Sequence, residues 1–146
     1  MQSAEERNHV IVKLDDGEDV FDSLDKVIEK YGIDSALILS GIGMLRDFEI
    51  GYYNGEKYIK ELFVDPMELL SMHGSIASGK ENRIHIHVSL ANREHKVFGG
   101  HLMRAKVCVL NEIVLFKVND VVLTRKLNKK SGLMELAISG GKEFLP

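Results

Sequence analysis

The 146-residue chain has a single cysteine and no excess of basic residues. It also has no apolar run near the roughly twenty residues that a membrane-spanning helix requires. Cys108 alone excludes an internal disulfide, and its place in the apolar run Val107–Leu110 suits a buried, inert thiol better than a nucleophile. The low cysteine usage makes a reducing cytoplasm the expected compartment. Met1 to Arg7 lacks a basic region followed by an apolar stretch, so no secretory signal is expected. The net charge of −3 and a pI near 6.1 argue against general nucleic-acid binding, which usually needs a basic stripe. Arg125, Lys126, Lys129 and Lys130 cluster late in the chain, where a solvated hairpin tip explains them more simply than a phosphate-binding patch. No repeat, linker or low-complexity segment divides the chain. Its length fits one domain over residues 1–146, with the core at about 9–118 and a C-terminal hairpin at 119–139.

What is present is mostly strand pattern. His9 to Leu14 reads as a strand, broken by Asp15-Asp16-Gly17. Asp15 followed by Glu18 resembles a capping box for a helix. In that helix Val20, Phe21, Leu24, Val27, Ile28 and Tyr31 form an apolar stripe at three- and four-residue spacing. Glu18, Asp19 and Asp22 sit in its first turn, and Gly32 ends it. Beyond the strand-like Ala36 to Ser40, Gly41-Ile42-Gly43 could cradle phosphate only if a helix followed. Arg46 to Tyr53 is strand-like instead, which favours a bend or bulge in one long strand. Asn54-Gly55 predicts a type I′ hairpin into Lys57–Val64. Met67–Ala77 and Ala105–Val118 predict further strands, and Val121–Leu127 pairs with Leu133–Ile138 across a basic turn. Hairpin connections make this an α+β domain, a mostly antiparallel sheet with one main helix and room for a second short one.

The richest chemistry lies in Ile84-His85-Ile86-His87-Val88-Ser89-Leu90, where a period of two puts both imidazoles on one strand face. His101 follows Gly99-Gly100, a pair that permits a close turn back beside them. His85, His87 and His101 can then form a facial metal site with open positions. The alternative is two polar residues on the wet side of a sheet and an unrelated third. Neutral imidazoles suit zinc, and other divalent transition metals are tolerated.

Taken in order, several motifs resemble the plants-and-prokaryotes-conserved (PPC) domain family, whose plant members are fused to AT-hooks. They are Gly17-Glu18-Asp19, Leu39-Ser40-Gly41-Ile42-Gly43 and Glu49-Ile50-Gly51-Tyr52-Tyr53. Further on come Glu68-Leu69-Leu70-Ser71-Met72-His73-Gly74-Ser75-Ile76, the His-x-His strand and Val97-Phe98-Gly99-Gly100-His101-Leu102. The resemblance implies a PPC-like α+β fold, a homotrimer, and one bound metal per chain, zinc first, at the histidine trio. It also implies an association with DNA or transcription. No Arg-Gly-Arg-Pro hook core occurs here. The plant partner-binding Gly-Arg-Phe-Glu-Ile stretch corresponds to Asp65-Pro66-Met67-Glu68-Leu69, which lacks its Arg and Phe. Direct DNA contact is therefore expected to be weak, and self-association to be the main partnership.

The alternative function is a zinc-dependent enzyme acting on a small molecule at the metal. Glu68, Glu112 and His73 are its candidate general bases, each read more simply as a solvated or interfacial polar group. His9 and His95 fall outside the motif and are expected to be exposed. Tyr52, Tyr53 and Tyr58 could stack on bases, but with few basic residues interleaved, cross-strand packing is the better reading.

Overall fold

Alternating apolar residues place most of the chain in strands. The computed structural model describes residues 1–141. In chain order the elements are β1 (Gln2–Glu6), β2 (His9–Asp15), α1 (Val20–Lys30), β3 (Ala36–Tyr53), β4 (Tyr58–Phe63) and β5 (Met67–Ile76). They continue with β6 (Ile84–Ala91), β7 (Val97–Lys117), β8 (Val121–Leu127) and β9 (Met134–Gly140). α1 is the one helix among the described residues; no second short one forms. The strand pairings are antiparallel. Seven strands follow the order β1-β2-β7-β6-β5-β3-β4, while β8 and β9 pair separately. β3 also pairs with β7, so the ladder closes on itself through β3, β7, β6 and β5. Each of those four strands thereby gains a partner on both sides. The fold is α+β, with one helix against a mostly antiparallel sheet.

The core follows from the two periods. Val10, Val12 and Leu14 of β2 and Val107, Ile113 and Leu115 of β7 are buried together with Val20, Leu24, Val27 and Ile28 of α1. Inside the closed ladder Leu45, Phe48, Met72, Ile86, Leu90 and Leu102 are almost wholly buried. Phe48 stacks on Phe63 of β4 at 5.0 Å between ring centroids. Fully burying aliphatic and aromatic side chains of this size contributes about 1.5–3 kcal/mol each.

Several local expectations change. The helix cap is Asp19, not Asp15: its carboxylate accepts from the backbone N–H groups of Phe21 and Asp22 at 2.9 and 3.1 Å. Gly17, at φ +82°, turns the chain before the helix begins, which leaves Asp15 and Glu18 outside it. Within that turn Asp15 N–H still donates to the Glu18 carboxylate at 2.7 Å. Asn54-Gly55 is not a two-residue type I′ turn. Tyr53 pairs with Tyr58 around a four-residue connection in which the Asn54 side chain accepts from Glu56 and Lys57 N–H. Only Gly55 there has positive φ, whereas type I′ needs two such residues.

Gly41-Ile42-Gly43 does lie within one long strand, with register shifts beside it. A Cβ on Gly43 would sit 2.1 Å from the Leu110 carbonyl oxygen, so the close approach of β7 requires glycine there. β1 falls outside the apolar-pattern reading because Gln2-Ser3-Ala4-Glu5-Glu6 is a mostly exposed edge, held by ladder bonds to β2 rather than by burial.

Candidate metal centre

β6 turns Ile86, Val88 and Leu90 into the core and His85 and His87 to the opposite face. His87 stands directly across from His101 on β7, and Ser75 of β5 stands across from His85. Paired residues of antiparallel strands share a face, so the three imidazoles converge. The ring centroids lie 4.8 Å apart for His85–His101, 5.0 Å for His85–His87 and 5.4 Å for His87–His101. One nitrogen from each ring lies within 4.8 Å of the other two. Tyr58 packs on His101 at 5.1 Å between centroids and on Tyr53 at 5.4 Å, which is cross-strand packing rather than a base-stacking platform.

His101 reaches this position by a different route from the expected turn at Gly99-Gly100. Both glycines lie inside β7. The reversal comes earlier, where the Asn92 side chain accepts from Glu94 and Lys96 N–H. What the glycines supply is thinness. A Cβ on Gly99 would come within 2.7 Å of the Val88 carbonyl oxygen, and one on Gly100 within 2.9 Å of the Gly51 carbonyl oxygen. β7 can therefore be flanked closely on both sides just before His101. Gly74 serves β5 in the same way, since its Cβ would lie 2.0 Å from the His85 carbonyl oxygen.

Burial favours the neutral form of two of the three imidazoles, His85 and His101. Burial pushes the His85 pKa down to about 4, with the charges of His101, Arg125 and His87 acting in the same direction. Burial also lowers that of His101, followed by His87 and Arg125. His101 Nδ1 is buried without a hydrogen-bond partner. Zinc–nitrogen bonds of about 2.0–2.1 Å in a tetrahedron put ligand nitrogens roughly 3.4 Å apart. The nitrogens, now within 4.8 Å of one another, would have to draw closer to reach that value. Neutral donors, an unpaired buried nitrogen and three converging rings fit a divalent transition metal.

A cavity of ≈ 520 Å³ opens on His85 and His101. The β8–β9 hairpin forms one wall, contributing Arg125, Leu133, Glu135 and Leu136, with Tyr58 and Asn82 opposite. Tyr53 Oη donates to the Ser131 carbonyl at 2.8 Å, and Ser78 N–H to the Leu123 carbonyl at 2.7 Å, docking the hairpin. Arg125 is not part of a solvated tip. Half-buried, it donates from Nη2 to Ser75 Oγ at 2.7 Å and to the Ser75 carbonyl at 3.4 Å. Arg125 lies two residues after the buried Leu123 and so shares its face, but the docking that buries both is not visible in the sequence. Lys126, Lys129 and Lys130 are exposed.

Of the candidate bases, His73 stands across from His87 but outside the three-histidine group. Glu68 and Glu112 are exposed, paired with Ala91 and Lys13 respectively, and neither lines the cavity. His9 and His95 are exposed, and Cys108 is a buried free thiol.

Residues 1–119 match the family described as the Plants and Prokaryotes Conserved (PCC) domain. The metal-containing protein AF0104 of Archaeoglobus fulgidus is 32% identical, with a TM-score of 0.78 over 91% of this chain and 95% of that one. A plant- and prokaryote-conserved (PPC) protein of Pyrococcus horikoshii is 29% identical, with a TM-score of 0.78 over 99% and 97%. A Bacteroides thetaiotaomicron protein, described provisionally as DNA-binding, shares the fold at 23% identity and a TM-score of 0.84 over 93% and 96%. A curated relative, the bifunctional protein GlmU of Synechococcus sp. (strain JA-3-3Ab), is 24% identical over 137 residues, which are 92% of this chain but 21% of that protein. The match over most of the chain and the likeness to the Archaeoglobus and Pyrococcus structures agree: this chain belongs to the Plants and Prokaryotes Conserved domain family.

Proposed function

We propose that this PPC-domain protein binds one divalent transition metal per chain, zinc first, through His85, His87 and His101. In this reading it acts as a homotrimer in a DNA- or transcription-associated role, by association rather than by direct DNA contact. The observation that carries the metal reading is the convergence of three imidazoles, two of them desolvated by burial and one of those with an unpaired buried Nδ1. The Archaeoglobus relative, described as metal-containing, supports it. Within the site the chain's residues bind and orient: the β6–β7 pairing sets the angle between His87 and His101, and Tyr58 fixes the His101 ring. A bound zinc would supply Lewis acidity at its open position and lower the pKa of a water there towards about 7.

The trimer reading draws support from apolar side chains left bare on the strands flanking β7. Ile11 of β2 and Leu37, Leu39 and Ile42 of β3 are exposed, as is Leu70 of β5. Such a patch favours a partner surface. The net charge of −3 and a hairpin tip with only Lys129 and Lys130 offer few phosphate contacts.

A second reading, a zinc-dependent enzyme acting on a small molecule, is favoured by the cavity at His85 and His101. Its weak point is the general base, since Glu135 is the single acid on the described cavity wall. Its Oε1 accepts from Asn128 at 2.8 Å and Ser131 at 2.9 Å.

The metal reading is tested by elemental analysis of untagged protein after zinc loading. One zinc per chain is expected for the wild type, His9→Ala and His95→Ala, with sharp loss for alanine at 85, 87 or 101. Equal metal content in all these variants would contradict it.

A further inference from the structure

We propose that the cavity beside the histidine trio binds a small molecule bearing a carboxylate on an apolar body. Arg125 would pair with that carboxylate, which reaches towards the metal position. This inference rests on the metal reading above, and extends it from a metal site to the class of ligand the site takes.

Arg125 is the anomaly that points there. An arginine guanidinium stays charged in a protein, so taking it out of water without a counter-charge costs stability. Three arginines of this chain are partly buried: Arg46, Arg83 and Arg125. Arg46 meets Asp16 at 2.8 Å and Arg83 meets Asp25 at 2.6 Å. Arg125 meets no acid among the described residues; its recorded acceptors are the hydroxyl and carbonyl of Ser75, both neutral. Ser75 stands directly across from His85, so the guanidinium is anchored one strand away from the trio. Glu135 does not neutralise it. Glu135 lines the same cavity but forms no ion pair with Arg125, and its Oε1 accepts instead from Asn128 at 2.8 Å and Ser131 at 2.9 Å.

The rest of the wall narrows the ligand. Ile84, Leu133 and Leu136 line the same cavity and suit an apolar body, and ≈ 520 Å³ is room for a small organic molecule. The free donors of the planar fork match the two oxygens of a carboxylate. Phosphate sites usually add backbone N–H groups from a helix N-terminus or a nest, and the cavity is lined by strands and their connections. β8 and β9 lie beyond residues 1–119, the stretch that matches the family.

Calorimetric titration of the full, zinc-loaded chain with benzoate tests the proposal, with phenylphosphate and benzyl alcohol as headgroup comparisons. Benzoate should bind once per chain, more tightly than either comparison. Arg125→Gln should weaken it by about tenfold or more, at unchanged zinc content. Arg125→Lys, which keeps charge and a bond to Ser75, should fall between and carries the test if Arg125→Gln does not fold. Equal benzoate affinity in wild type and variant, no benzoate binding at full zinc occupancy, or tighter phenylphosphate binding would each overturn the carboxylate clamp while leaving the metal reading intact. A protein that takes up no zinc would overturn both.

Discussion

At His85 burial opposes charge, and the consequence is a pH dependence of definite sign. The folded value is about 4 against an ordinary value of 6.5. Above 6.5 the ring is neutral in both the folded and unfolded chains, and the group contributes no slope. As pH falls from 6.5 towards about 4, the unfolded chain takes up a proton that the fold resists, so stability declines through that window and levels off below it. Metal-free protein should therefore show a falling urea midpoint between neutral pH and pH of about 4, and His85→Leu should flatten that fall. A midpoint independent of pH in the wild type would contradict the buried, neutral ring. Much at this scale was legible in the sequence: the period of two puts His85 and His87 on one face without any tertiary knowledge. His101 was found through its neighbours Gly99-Gly100, although they act by thinning a strand rather than by turning it. Arg125 was misread because its basic neighbours are exposed, and its own burial depends on a hairpin docking that no local pattern encodes.

Among the elements, α1 and most of the strands were legible because each has an apolar period of its own. The closure of β3, β7, β6 and β5 was not, since it depends on β3 and β7 each running long enough to pair with several partners. Nor was β1, whose partners are backbone groups. The β5–β6 ladder is where element and site meet, for Gly74 pairs with Ile86 between the His73–His87 and Ser75–His85 pairs. Gly74→Ala should push β5 from β6 at the trio, because the added Cβ would lie 2.0 Å from a backbone oxygen that cannot move alone. A loss of about 1–3 kcal/mol in chemical denaturation is expected, together with reduced zinc uptake. Gly55→Ala makes the control, since a Cβ there meets nothing within 4 Å although its φ of +100° carries some strain of its own. Wild-type zinc uptake in Gly74→Ala would show that the trio does not depend on this ladder.

For the whole molecule, the proposed homotrimer rests on the exposed apolar residues flanking β7. Light scattering at micromolar concentration should give about three times the 16.4 kDa chain mass, and Leu37→Lys combined with Ile42→Lys should lower it. A stable wild-type monomer would contradict the trimer and leave that apolar surface without a role. The central claim is narrower than the assembly: three imidazoles hold one metal. X-ray absorption at the zinc edge on untagged, zinc-loaded protein addresses it most directly. Three imidazole nitrogens at about 2.0–2.1 Å, with no sulfur, are expected around each zinc. Zinc with fewer than three imidazoles, zinc bound to the Cys108 sulfur, or no retained zinc would contradict it.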